Sequence, residues 1–310
     1  MSHSKENKNT ITGIGLAILA VLIWSGNFVI ARGVSKQVPP VSLAFFRWST
    51  ASLIIIPFAI RYVKKEYKYA LRSWKIILCA ALTGITFFNT FIYIGAHSTS
   101  AINLALIGNT ISPIASVILA YFFLKEKISW MKVTGMIICF FGIVFLLAKG
   151  SIRNLLSLQF SAGDGWMVLA ALTFAAYNIF ARKKPSEMSP LFFLAITFIT
   201  GTLMLLPFYL VESRHQSFDW NGHLVLIVLY LGLGTSVISF FCWNNAIRYL
   251  GAGRTALFGN LIPLFSSIEA ILVLHERFTL IHLISMILIF AGLLLANLSL
   301  KQRQQKSSAE

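Results

Sequence analysis

The chain has 310 residues, 57% hydrophobic and 12% charged, with a mean hydropathy of +0.78, far from the composition of a soluble domain with a polar shell. Its formal net charge of +16 would suit a nucleic-acid partner, but the basic residues lie between apolar stretches of membrane-spanning length and form no nucleic-acid patch. A lipid bilayer is the expected medium, and nothing is left over for a soluble domain.

Crossing an apolar core of roughly 30 Å takes about 20 helical residues. That criterion predicts ten spans, at 11–31, 40–60, 76–96, 101–124, 131–148, 165–182, 189–211, 223–246, 252–274 and 279–299. The first is longer than a signal-peptide core, follows only the weakly basic "SKENK" and runs through "WSGN" with no small-residue cleavage site, so it reads as a retained span. It carries Trp24 and Asn27, and Gly13, Gly15 and Ala17 suit close helix approach. The second span contains Arg47, and the third carries Asn89 and Tyr93. The fourth, "GNTISPIASVILAYFFLKE", brings Asn109, Pro113 and terminal Glu126. The sixth contributes Tyr177 and Asn178, and the eighth Trp243 and Asn244. The ninth repeats the fourth as "GNLIPLFSSIEAILVLHE", with Pro263, Glu269 and terminal Glu276. Cys79, Cys139 and Cys242 all fall inside spans, at spacings that suggest neither a disulfide nor a metal site.

With the N-terminus in the cytoplasm, nineteen of the 26 Lys and Arg residues fall in cytoplasmic segments and six on the opposite face, leaving Arg47 inside span two. The positive-inside rule therefore fits ten spans with both termini cytoplasmic. Sliding the chain over itself by 150 residues superimposes Pro40 on Pro190, Pro57 on Pro207 and Pro113 on Pro263, six of the 8 prolines. One residue is missing between Asn260 and Pro263 relative to Asn109 and Pro113. Each half holds five spans, an odd number, so the second half enters the membrane in the opposite orientation. The expected fold is an all-α integral membrane protein of ten transmembrane helices, built as two inverted five-helix repeats at 11–148 and 163–299. Inverted repeats are typical of secondary transporters, whose halves alternate around a site near the midplane.

The two proline-to-"LxE" blocks, together with "WSGNFVIARG" at Trp24–Gly33, "FFRW" around Arg47 and the closing "LHERF", resemble the EamA family of the drug/metabolite transporter superfamily. The resemblance covers residues 11–299. It implies a ten-helix carrier of the bacterial inner membrane that exports amino acids or other small metabolites by alternating access. Glu269 departs from the apolar or small residue that the family commonly has there.

Nine of the 10 acidic residues lie in tails, connectors or span ends, whereas Glu269 sits within a span. An ionisable group inside a bilayer is expensive and reads as functional by default; Arg47 carries the same argument with opposite sign. Counted from His275 and Pro39, their depths are about 9 and 12 Å at roughly 1.5 Å per residue. At the repeat shift Arg47 meets Thr197, Glu269 meets Leu119 and Asn27 meets Tyr177. Symmetric positions build the frame, and asymmetric ones distinguish its contents. Arg47 could clamp a substrate carboxylate while Glu269 takes its ammonium or a proton, or the two could neutralise each other as a buried pair. Trp24, Asn27, Asn89, Tyr93, Asn109, Tyr177, Asn178, Trp243 and Asn244 form the expected neutral lining, although amides also serve as hydrogen-bonding glue between membrane helices. Pro113 and Pro263 are candidate hinges or plain kinks. Glu126 and Glu276 are expected to make local ion pairs with Lys125, Lys127 or Arg277.

The chain lacks HExxH, GxxxxGK[ST], CxxC and GxSxG, so neither a soluble-enzyme reaction nor ATP-driven transport is indicated, and no cofactor or metal is expected. The partners expected are a small solute, such as a zwitterionic amino acid, and a driving ion such as the proton. Competing readings are an uptake carrier, a lipid-linked sugar translocator, and a membrane sensor or scaffold without flux.

Overall fold

The computed structural model describes residues 2–125, 128–151, 153, 161–250, 255 and 258–307, so Glu126 lies outside the described residues. Within them all regular structure is helical: α1 Ser2–Gly33, α2 Pro40–Arg72, α3 Trp74–Gly95, α4 Ala101–Leu124, α5 Trp130–Leu147, α6 Ala162–Arg182, α7 Pro190–His215, α8 Gly222–Leu250, α9 Ile262–Leu274 and α10 Leu280–Ser307. The first eight are long and apolar enough to cross a membrane, and α9 and α10 supply two shorter apolar stretches. Helices satisfy their backbone groups internally, as lipid demands. Their outward faces carry residues such as Leu53, Phe122 and Leu272, each about 70% exposed. The chain is a multi-pass membrane protein.

The helices pack in pairs that respect the 150-residue repeat. α2 lies against α7 and α5 against α10; α1 packs on α8 and α9, as α6 packs on α3 and α4. Two contacts join a residue to its own repeat counterpart: Ser52 and Thr202 hydroxyls meet at 3.1 Å, and the Cys139 thiol donates to the Ile289 carbonyl at 3.5 Å. Self-contacts of this kind are the mark of a two-fold relation, because only on such an axis does a surface meet its own copy. The repeat also extends to the backbone. α3 contains a π-helical segment at Leu82–Phe87 and α8 one at Tyr230–Ile238. α4 and α9 both end on left-handed residues, Lys125 and His275, each with φ 55°.

Acidic side chains fasten helix ends. The Glu212 carboxylate, near the end of α7, accepts from Val41 N, Ser42 N and Ser42 Oγ at the start of α2. Reciprocally, Glu66 near the end of α2 accepts from Ser189 N and Oγ at the start of α7. Each anion thereby meets the positive end of an antiparallel neighbour. Glu276 accepts from Ala101 N at 2.8 Å and Ile102 N at 3.2 Å. It caps α4, and the ion pair expected with Arg277 gives way to this cap because unsatisfied backbone donors in lipid are the more demanding partners.

Other expectations are redrawn. α2 does not stop near residue 60 but continues to Arg72, since Tyr62–Arg72 is rich in helix formers although too charged for a span. Gly13 does bring α1 close to α8, where an added Cβ would lie 2.7 Å from Leu250 Cγ, but Gly15 has nothing within 4 Å. Pro113 sits inside α4. Pro263, its repeat counterpart, instead opens α9, after a turn at Asn260 and Leu261. A proline in the first turn sacrifices no helical hydrogen bond. The break falls where the second repeat is one residue short.

Candidate functional site

Arg47 lies two turns into α2 and is 6% exposed. Its Nη1 donates to Asn27 Oδ1 of α1 at 2.5 Å and, on α3, to Asn89 Oδ1 at 2.7 Å and Tyr93 Oη at 2.9 Å. Asn89 and Tyr93 are four residues apart and so share one helix face. A guanidinium offers only donors, which fixes both amide oxygens as the acceptors. Tyr93 Oη in turn donates to Asn27 Oδ1 at 3.4 Å. The Arg47 Cζ stands 5.0 Å from the Trp48 ring centroid, while Nε is buried and unpartnered. The cation is therefore held by neutral dipoles and an aromatic ring, with no carboxylate bonded to it among the described residues.

Glu269 lies two turns into α9. Ser25 Oγ of α1 donates to its Oε1 at 2.7 Å, and Oε2 is buried with no hydrogen-bond partner among the described residues. Ser25 Oγ also lies 2.7 Å from the Leu22 carbonyl. A hydroxyl has one hydrogen. It can stabilise ionised Glu269 by donating to it, or turn to Leu22 and accept from the protonated acid. The site thus offers a hydrogen bond to either protonation state.

Ser25 and Asn27 are two residues apart on α1 and so face different sides of the helix. Arg47 and Glu269 accordingly form no ion pair; α1 holds one charge on each flank. Tyr230, at the start of the α8 π segment, bridges the interval. Its hydroxyl donates to the Ile23 carbonyl at 2.8 Å and packs directly on Gly26, where a Cβ would have no room. Beside it, Trp24 Nε1 donates to the Thr235 carbonyl at 2.9 Å, and the Trp24 ring lies 5.1 Å from Trp243 and 5.6 Å from Phe240.

Of the neutral residues expected to line a site, the structure thus gathers Asn27, Asn89 and Tyr93 around Arg47, and Trp24 with Trp243 near Tyr230. The others are placed elsewhere. Asn109 Nδ2 donates to the Ala105 carbonyl of its own helix at 2.9 Å. Asn178 Nδ2 donates to Ser116 Oγ at 3.1 Å, tying α6 to α4. Tyr177 packs on Phe174 and against Gly84, and Asn244 is exposed. Sequence reasoning missed Ser25 and Tyr230. Their repeat counterparts are Ala175 and Ala80, so the asymmetry that singled out Arg47 and Glu269 would have found them too. A groove of about 640 Å³ lies away from these charges, on the outer surface between α2, α3 and α7.

Comparison with known proteins gives the fold and site a context. A sequence model of the EamA-like transporter family matches residues 11–148 and again 161–298. An uncharacterized transporter of Archaeoglobus fulgidus is 27% identical over 290 residues, covering 93% of this chain and 98% of that protein. The S-adenosylmethionine uptake transporter of Rickettsia conorii is 29% identical over 273 residues, covering 87% of this chain and 86% of that protein. A solved crystal structure with 18% sequence identity shares the fold, with a TM-score of 0.60 and coverage of 96% of this chain and 99% of that chain. Two family matches that together span nearly the whole chain, on an all-helical frame of repeat-related helix pairs, place the chain in the EamA-like transporter family.

Proposed function

We propose that this transporter is a secondary carrier of the inner membrane. In this reading its ten helices form two inverted five-helix halves, both termini face the cytoplasm, and the halves alternate access by rocking about their common axis. The repeat-related helix pairs and the self-contacts Ser52–Thr202 and Cys139–Ile289 support that frame. The solute is a small metabolite carrying both a carboxylate and a cationic group, an amino acid or a relative of one. Arg47 takes the carboxylate, to which a guanidinium can offer paired donors. Glu269 takes the cation or a proton. The observation that carries this reading is that the two intramembrane charges do not satisfy each other, since each has its own neutral partners and keeps a buried polar atom unpartnered among the described residues.

Export is the direction proposed here, on the family resemblance. Uptake is the second reading, favoured by the relative named for S-adenosylmethionine uptake, a solute that also combines a carboxylate with cationic groups. Purified protein in proteoliposomes, assayed with labelled amino acids and S-adenosylmethionine with and without an imposed pH gradient, tests both directions. Gradient-dependent flux of a zwitterion that Glu269→Gln uncouples is the expected result. Full, still proton-dependent flux in that variant would remove Glu269 from the mechanism.

A further inference from the structure

We propose that the outer groove between α2, α3 and α7 is a binding site for an anionic phospholipid, with an acyl chain along the groove and the phosphate on the lysines at the end of α2 and the start of α3. The inference is independent of the solute and of the direction of transport. α2 has 33 residues, about 50 Å at 1.5 Å per residue, against a hydrocarbon core of roughly 30 Å. Its last turns must therefore leave the apolar layer. The groove of about 640 Å³ begins on the apolar part, at Ile56 and Ile60, and follows the same face of α2 past Val63 and Tyr67 to Leu71, where it meets Trp74 of α3, with Phe192 and Ile199 of α7 as the far wall.

The charge lies where a headgroup would sit. Lys64 follows Ile60 by four residues and Lys68 follows Lys64 by four, so both stand on the groove's edge of α2, and Lys75, at the start of α3, holds its Nζ 5.7 Å from the ring centroid of Trp74, which lines the groove. All three are exposed, as are Arg61, Lys65 and Arg72. Nearby acids leave this charge uncancelled. Glu66 is 7% exposed and turned inward to cap Ser189, and Glu187 is held at the neighbouring connector by Ser186, with Arg72 close enough to act on it. Tyr67, Tyr69 and Trp74 are exposed beside the lysines, the aromatic arrangement of a membrane–water interface. An apolar channel that ends in an aromatic girdle and an unopposed row of ammonium groups is complementary to one ligand class, a phosphate ester bearing a hydrocarbon tail.

The test uses the full chain in detergent, probed by native mass spectrometry with phosphatidylglycerol and phosphatidylcholine of identical acyl chains. Wild type should retain phosphatidylglycerol preferentially. The triple variant Lys64→Gln, Lys68→Gln, Lys75→Gln should lower that retention by roughly tenfold or more, while Lys132→Gln, on α5, leaves it unchanged. Ile199→Trp, which fills the groove and keeps every charge, should also reduce it. Equal retention of the two lipids, an unaltered preference in the triple or groove-filling variant, or displacement of the bound lipid by inorganic phosphate alone would overturn the proposal. So would cysteine cross-linking of Ile60 between two copies of the chain in phosphatidylglycerol vesicles.

Discussion

Arg47 and Glu269 are the basic and the acidic side chain that lie within apolar spans away from their ends, and the protein treats them differently. Arg47 is enclosed, with three oxygens converging on one nitrogen. Glu269 is partly open, with a single hydroxyl on one oxygen and, among the described residues, no hydrogen bond to the other. A fixed cation with its solvation built in is suited to wait for an anionic ligand without rearranging. An acid with an unmet oxygen and a hydroxyl that can either donate or accept is suited to change state. Helix α1 keeps them apart by presenting Ser25 to one and Asn27 to the other.

The largest effect should come from destroying the enclosed side. Arg47→Leu strips the partner from Asn27, Asn89 and Tyr93, and unfolding in detergent should show a loss of about 2–3 kcal/mol, with transport abolished. Glu269→Gln keeps an oxygen for Ser25, so stability should change by under about 1 kcal/mol while proton-dependent flux disappears. Ser25→Ala removes the one hydrogen bond to Glu269 and should lower flux about tenfold, a cost of roughly 1.4 kcal/mol in the transport barrier. Tyr230→Phe, which loses only the bond to Ile23, should cost about 1 kcal/mol of stability.

The smallest effect lies outside the spans. Burial, reinforced by the Arg32 guanidinium and opposed by Glu212, lowers the His97 pKa below its ordinary 6.5. A folded-state pKa below the unfolded one means that the unfolded chain binds more protons in that window. Stability is then full above about 6.5 and declines as pH falls through the folded value. Melting curves at pH 5 and 7.5 should differ slightly more for wild type than for His97→Gln.

Much of the frame was legible in the sequence because hydropathy over 20 residues and paired prolines are one-dimensional signals. The π segments of α3 and α8 were not, since a one-residue slip in backbone hydrogen bonding leaves no residue-type signature. The helical continuation of α2 to Arg72 was not legible, because a hydropathy window ends at the first lysines although the helix does not. Within the site, residue asymmetry between the halves marked Arg47, Asn27 and Glu269. It could not tell Asn89, which reaches Arg47, from Asn109, which turns back to its own helix, because the sequence does not fix a helix's rotation among its neighbours. Nor could it show that Ser25 and Asn27 divide the two charges.

The separation of those charges is tested most directly by a double-mutant cycle on stability, comparing Arg47→Gln, Glu269→Gln and the double variant by thermal unfolding. Independent sites predict that the two losses add within about 0.5 kcal/mol. A double variant restored to wild-type stability, as expected when both halves of a buried ion pair are removed together, would contradict the account.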